Sequence, residues 1–279
     1  MASPSATLNS NLRPDLADSF MEFDLAADQA GYIGHRVLPI LDVASQAGQF
    51  GRIPLEQLLQ NADTERAPGS GYSRGNFTFT PDTFACVEHG HEEPVDDREA
   101  KMYREYFDAE MIASARAFNM VLRNYEQRAA DLLFNTSTWT GSSLTTAVSN
   151  EWSNKTSATP IDDVEAAVKK VYDGSGLWPN ALIVNRKVFR NLRLTDQIRD
   201  RISSSGAGSS ELAGDITPEQ LATAFDLQYV IVGGGSKNTA AEGQTASPDQ
   251  IWSSEYAMVA KIATSQDVKE PCVGRTFHW

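Results

Sequence analysis

Cysteine is almost missing from this 279-residue chain: Cys86 and Cys272 are the only two. Their separation matches no zinc or redox spacing, so they read as ordinary thiols in a reducing compartment. Long apolar runs are missing too. The first twenty residues carry no hydrophobic signal core, and no stretch of about 18 consecutive apolar residues occurs, so neither secretion nor a membrane span is expected and the chain reads as soluble and intracellular. Only four histidines are present, His35, His89, His91 and His278. Neither Gly-x-Ser-x-Gly nor His-Glu-x-x-His occurs, so catalysis has no evident home and no cofactor is implied. Basic residues are scarce where nucleic-acid-binding arms usually sit: residues 1–100 hold 6 basic and 16 acidic groups. Polyanion capture by counterion release needs the opposite balance, so sequence-specific DNA binding is disfavoured.

What is present suffices for a large core. The length corresponds to two compact units or one large one at roughly 150 residues each, and 19 glycines with 12 prolines are ordinary for a folded protein. The net charge of −13 has one local exception. Residues 186–201 carry Arg186, Lys187, Arg190, Arg193, Arg199 and Arg201 against Asp196 and Asp200, with Arg186, Arg190 and Arg193 on one helical face. A solvated face or a protein partner is favoured there over a phosphate contact.

Two short motifs invite chemistry. Glu88-His89-Gly90-His91-Glu92-Glu93 has the residue types of a zinc site, but no third ligand is set by the sequence, and a polar approach to the next helix is the preferred reading. Gly233-Gly234-Gly235-Ser236-Lys237 resembles a phosphate loop, yet it follows a strand without opening a helix and lacks the required spacing before Gly-Lys. It reads as an exposed turn between strands.

Along the chain, residues 1–45 form a polar, acidic start followed by the apolar patch GYIGHRVLPILDV, an arm that docks on something. Residues 46–90 are rich in Gly, Pro, Asn and Ser, with one alternating run at Asn76-Phe77-Thr78-Phe79-Thr80. Such a hairpin-like excursion has too little apolar content for its own core and must lean on another surface, expected to be a neighbouring copy. Asp96 then caps a helix, with Glu99 at capping-box spacing. Apolar or small residues recur from Tyr103 through Phe107, Met111, Ala115, Phe118, Leu122, Tyr125 and Ala129 to Leu132 at the helical period, with no Pro or Gly from Asp97 to Phe134. One continuous helix over 97–134 would be about 57 Å long at 1.5 Å per residue. That exceeds the roughly 50 Å diameter of a compact globule of this size, so an elongated subunit with a spine is expected. Residues 150–265 read as a mixed α+β domain. It has a helix over 160–172 ended by Gly174, a strand at 181–184, the Arg186 helix, a capped helix at Thr217-Pro218, and strands at 228–232 and 256–263.

The strings GRIPLEQLLQNADTERAPGSGYSRGNFTF, EEPVDDREA, LWPNALIVNRKVFRNLRLTDQIRDRI, ITPEQLATAFDLQYVIVGGGSKNTAAEGQ, DQIWSSEYAMVAKIA and GRTFHW together resemble a tailed-bacteriophage major capsid protein of the Hong Kong 97-like fold, in order and over nearly the whole chain. The resemblance implies an α+β capsid subunit with an N-terminal arm (1–45), an extended E-loop (46–90), a peripheral domain on the spine helix (91–149), an axial domain (150–265) and a return segment (266–279). It implies hexamers and pentamers of identical subunits in an icosahedral head around double-stranded DNA, with portal, scaffolding and decoration proteins as further partners. Subunit contacts would then involve Arg52, Arg66, Tyr72, Arg74, Phe77 and Phe79 on the loop, and Arg186, Arg190, Arg193, Gly233, Gly234 and Gly235 in the axial domain. Some members of that family crosslink through an E-loop lysine; the first lysine here is Lys101, so a non-covalent shell is expected. The family pattern also implies strands beyond Trp279 and, without a scaffolding segment before the arm, a separate scaffold. An encapsulin-like compartment and a nucleotide-using α/β enzyme reading the Gly233 loop are the alternatives.

Overall fold

Residues 181–185, Ala-Leu-Ile-Val-Asn, are buried without exception, and this strand divides the molecule into two apolar layers. The computed structural model describes residues 24–62, 64–76, 78–104, 108–204 and 216–279. In chain order these form α1 (Leu25–Gln29), α2 (Gly34–Val37), β1 (Ile40–Asp42), β2 (Ala47–Arg52), α3 (Leu55–Leu58), β3 (Thr80–Ala85), α4 (Asp97–Tyr103) and α5 (Ala109–Leu133). Then follow α6 (Pro160–Ser175), β4 (Ala181–Asn185), α7 (Arg186–Leu192), α8 (Asp196–Ser204), α9 (Pro218–Ala224), β5 (Tyr229–Gly233), β6 (Ser236–Asn238), β7 (Pro248–Gln250), β8 (Met258–Ala260) and β9 (Thr276–His278).

β4 lies between β5, to which it is parallel, and β8, to which it is antiparallel. Successive side chains of a strand point to opposite faces. Ala181 and Ile183 accordingly join a core with Tyr32, Ile33, Val37, Leu38, the end of α5 and Trp252. Leu182 and Val184 join a second core with α6, α7, α8 and α9. Each such aliphatic side chain contributes about 1.5–3 kcal/mol by leaving water. The apolar patch of the arm thus docks on its own chain: α2 packs on α5, and β1 runs parallel to β9 from Ile40↔Thr276 to Asp42↔His278.

Several local signals act as the residue types require. Asp96 accepts from the Arg98 N–H at 2.6 Å, and Thr217 and Gln220 form a reciprocal capping box behind Pro218. α6 runs three residues past the expected end and stops at Gly176, whose φ of 68° closes it. Gly174 is helical, because only the left-handed turn ends the helix and that turn falls at 176. The strands expected at 228–232 and 256–263 cover 229–233 and 258–260; the second is shorter than its apolar run because only three residues find partners on β4.

The long helix is two helices. α4 ends at Tyr103, and α5 starts at Ala109 after Asp108, whose backbone is extended and whose side-chain Oδ1 accepts the N–H groups of Glu110 and Met111 at 3.1 Å. An Asp inside an apolar period can leave the helix and cap the next one, which a count of apolar spacings does not register. α5 alone is about 37 Å long at 1.5 Å per residue, so the helix no longer exceeds a globule's diameter and that argument for an elongated subunit lapses.

The buried face is also rotated from the expected stripe. Met111, Phe118 and Leu132 of that stripe are exposed, whereas Ala129 of it is buried together with Asn119, Glu126, Ala130 and Leu133, which lie off it. Phe107 lies outside the described residues.

Candidate assembly surfaces and the joint behind them

A buried carboxylate on α5 holds three segments together. Glu126 has no solvent exposure. Its Oε1 accepts from the Ile33 N–H at 2.7 Å and the Trp252 indole N–H at 2.6 Å, and its Oε2 accepts from the Gly34 N–H at 2.7 Å. The arm, the spine helix and the segment before β8 therefore share one acceptor group. Three donors on one carboxyl group offset the cost of burying it.

A second carboxylate repeats the device one turn of arm earlier. Asp28, 6% exposed, accepts from the Tyr32 hydroxyl at 2.8 Å and Arg123 Nη2 at 3.0 Å. Its other oxygen accepts the Ser236 N–H at 2.9 Å and the Ser236 hydroxyl at 3.0 Å. Burial alone would push this carboxyl up, but the donors from Ser236, Arg123 and Tyr32 outweigh it and hold the group below the usual carboxylate range. The Tyr32 hydroxyl is pushed up, first by burial and then by its bond to Asp28. Neither carboxylate was legible as a site in the sequence. The only available signal was an acidic residue within an otherwise apolar helical period, at Glu126.

Gly233, Gly234 and Gly235 are not an exposed turn. Gly233 and Gly235 are buried, and the Gly234 N–H donates to the Gly31 carbonyl at 2.9 Å. A Cβ on Gly233 would come within 2.6 Å of the Trp252 ring, one on Gly235 within 2.8 Å of Tyr32, and one on Gly31 within 2.7 Å of the Gly234 backbone. Glycine is needed because two backbones touch. The tract joins β5 to β6 beneath the arm and opens no helix, which removes the phosphate-loop reading. The exposed part of this region is the β6–β7 hairpin beyond it, paired from Ser236↔Gln250 to Asn238↔Pro248.

The loop residues lie on a hairpin. β2 and β3 pair antiparallel from Ala47↔Ala85 to Arg52↔Thr80, so the ladder begins where the alternating run ends. The partner strand AGQFGR shows no apolar alternation, which hid it from pattern reading. The base leans on β9 through Phe84 and Phe277, with ring centroids 4.8 Å apart. Farther out, Gln57 and Thr78 close the loop with two bonds of 2.8 Å. Arg52 pairs with Asp82 at 3.4 Å, and Arg66 lies over the Tyr72 ring at 4.4 Å. Arg74 is exposed, and Phe77 lies outside the described residues. Tyr72 is 80% exposed, and Leu58, Leu59 and Phe79 each show 60% or more of their surface.

Arg186 and Arg190 are exposed on α7, while Arg193 is half-buried with its guanidinium 5.4 Å from the Phe189 ring. α7 is held by Asn185, which accepts the Val188 N–H at 2.7 Å and donates to the Trp252 carbonyl at 3.0 Å. Among the described residues, His89 and His91 are exposed and no group of three metal-ligating side chains forms. No described helix is long and apolar enough to cross a membrane.

No protein-family model matches the chain. It is 22% identical over 209 residues to the major capsid protein of Burkholderia phage BcepMu, covering 73% of this chain and 64% of that protein. It is also 22% identical over 248 residues to the major capsid protein of Pseudomonas phage JBD67, covering 88% of this chain and 77% of that one. Both of these relatives, to which the chain is similar, are major capsid proteins of phages. A crystal structure of a phage-related protein from Bordetella bronchiseptica RB50 shares the fold, with a TM-score of 0.59, 20% identity, and coverage of 91% and 81% of the two chains. These curated relatives are capsid proteins and not enzymes.

Proposed function

We propose that the chain is the major capsid protein of a tailed phage, a structural subunit of the Hong Kong 97-like type that assembles with copies of itself into hexamers and pentamers of an icosahedral head. The observation that carries this reading is the exposed apolar series along the 46–90 hairpin in a chain similar to phage capsid proteins. An isolated two-stranded hairpin is marginal in water, so a neighbouring subunit beneath Leu58, Tyr72 and Phe79 would supply the missing contacts. The loop carries no lysine, and the shell is held without covalent links. The acidic balance suits a wall along which packaged double-stranded DNA slides, in a virion assembled in the host cytoplasm with portal, scaffolding and decoration partners. Negative-stain microscopy of the expressed protein tests the reading. Closed particles of uniform diameter are expected, and a protein that stays monomeric at every concentration and salt would refute it.

A further inference from the structure

Two charged segments of opposite sign take no part in the joint. On α7, Arg186, Lys187 and Arg190 are exposed, the helix contains no acidic residue, and none of the three forms an ion pair among the described residues. Their placement burdens the helix. Arg186 and Arg190 repel at i, i+4, and Arg186 with Lys187 opens the first turn, where the macrodipole disfavours cations. Helix stability does not account for them, and no carboxylate of the described residues pairs with them.

The strap between β3 and α4 is the counterpart. Residues 88–99 hold six acidic side chains and one arginine. Glu88, Glu92 and Asp97 are exposed, while Glu93 pairs with Arg116 at 3.5 Å and lies 4.0 Å from His91 Nε2.

We propose that the α7 cations of one subunit seat against the 88–97 strap of an adjacent copy. The inference rests on the shell reading and names one of its contacts. Two different, complementary patches make a heterologous contact, which repeats head to tail and closes into a ring when the rotation fits. Arg186 is already placed for it. Its guanidinium lies so close to Gly234 that a Cβ there would stand 3.2 Å away, so less side-chain freedom is lost on contact. A duplex partner is less well matched: three cations neutralise few phosphates, and the chain around them has a net charge of −13.

Charge exchange tests the contact. Arg186→Glu with Arg190→Glu, and separately Glu88→Lys with Glu92→Lys, should each lower particle yield at least tenfold at low salt, by sedimentation and negative stain. The four substitutions combined should restore it. Circular dichroism and thermal melting of the dissociated subunits establish that each variant is folded. If the wild type assembles while the single-patch variants assemble equally well, or the combined variant gains nothing, the proposed contact is wrong and the shell reading stands. If the arginine variant assembles normally but loses retention of duplex DNA, the helix belongs to nucleic acid and the proposal is overturned. A wild type that never assembles defeats the shell reading itself.

Discussion

Glu126 accepts three buried donors, so Glu126→Ala would strand the Ile33, Gly34 and Trp252 N–H groups away from water. The expected loss is roughly 3–5 kcal/mol, as for other broken buried networks, read as a lower urea midpoint of the dissociated subunit. Asp28 predicts a pH dependence. Its folded-state carboxyl is held below its value in the unfolded chain, so its contribution is complete above about pH 4 and is lost as the pH falls through the folded value. The stability gap between wild type and Asp28→Asn should therefore be constant near neutrality and close in acid. A gap that is unchanged at pH 2 would show that the Ser236 and Arg123 bonds do not stabilise the ionised form. Tyr32 acts in the opposite sense: its proton is held more tightly in the fold, so stability declines as alkaline pH ionises the unfolded chain first.

At the scale of elements, the glycine seam and the helix break matter most. Gly235→Ala pushes a methyl group into the Tyr32 ring at 2.8 Å, and overpacking of this kind costs about 1–3 kcal/mol. A melting temperature unaffected by that change would mean that the arm yields easily at this point. Asp108→Ala removes the cap of α5 and should cost about 1 kcal/mol in urea unfolding. The hydrophobic periods located the helices within 97–134 and 160–172, the short apolar run located β4, and the capping residues marked where α4 and α9 begin. The periods failed where a polar side chain took over. Asp108 capped a new helix inside the apolar period, and Glu126 turned α5 so that an acidic residue faces the core while Met111 and Phe118 face outward. The strand opposite β3 was invisible because AGQFGR carries no alternation, and only pairing makes it a strand.

For the whole molecule, the hairpin's exposure separates folding from assembly. Replacing residues 66–72 with a short Gly-Ser turn leaves the Gln57–Thr78 bonds and the β2–β3 ladder in place, so the melting temperature should hold while particles disappear from the sedimentation profile. Particles of normal yield would dissociate the loop from assembly. A denaturing gel of wild-type particles should show only the monomer band, because no lysine precedes Lys101; a ladder would disprove the non-covalent shell.

Composition and order along the chain were enough to indicate a large α+β protein without an evident catalytic centre, with a coreless loop and a family resemblance, since each of these depends on residue type and local spacing alone. Which backbones touch was decided only in three dimensions. Gly31 meets Gly234, Asp28 meets Ser236, and Glu126 meets both Ile33 and Trp252. Hydrogen bonds between residues about a hundred or two hundred positions apart leave no periodic trace, because they form only after the two layers of core have closed on the β4 sheet.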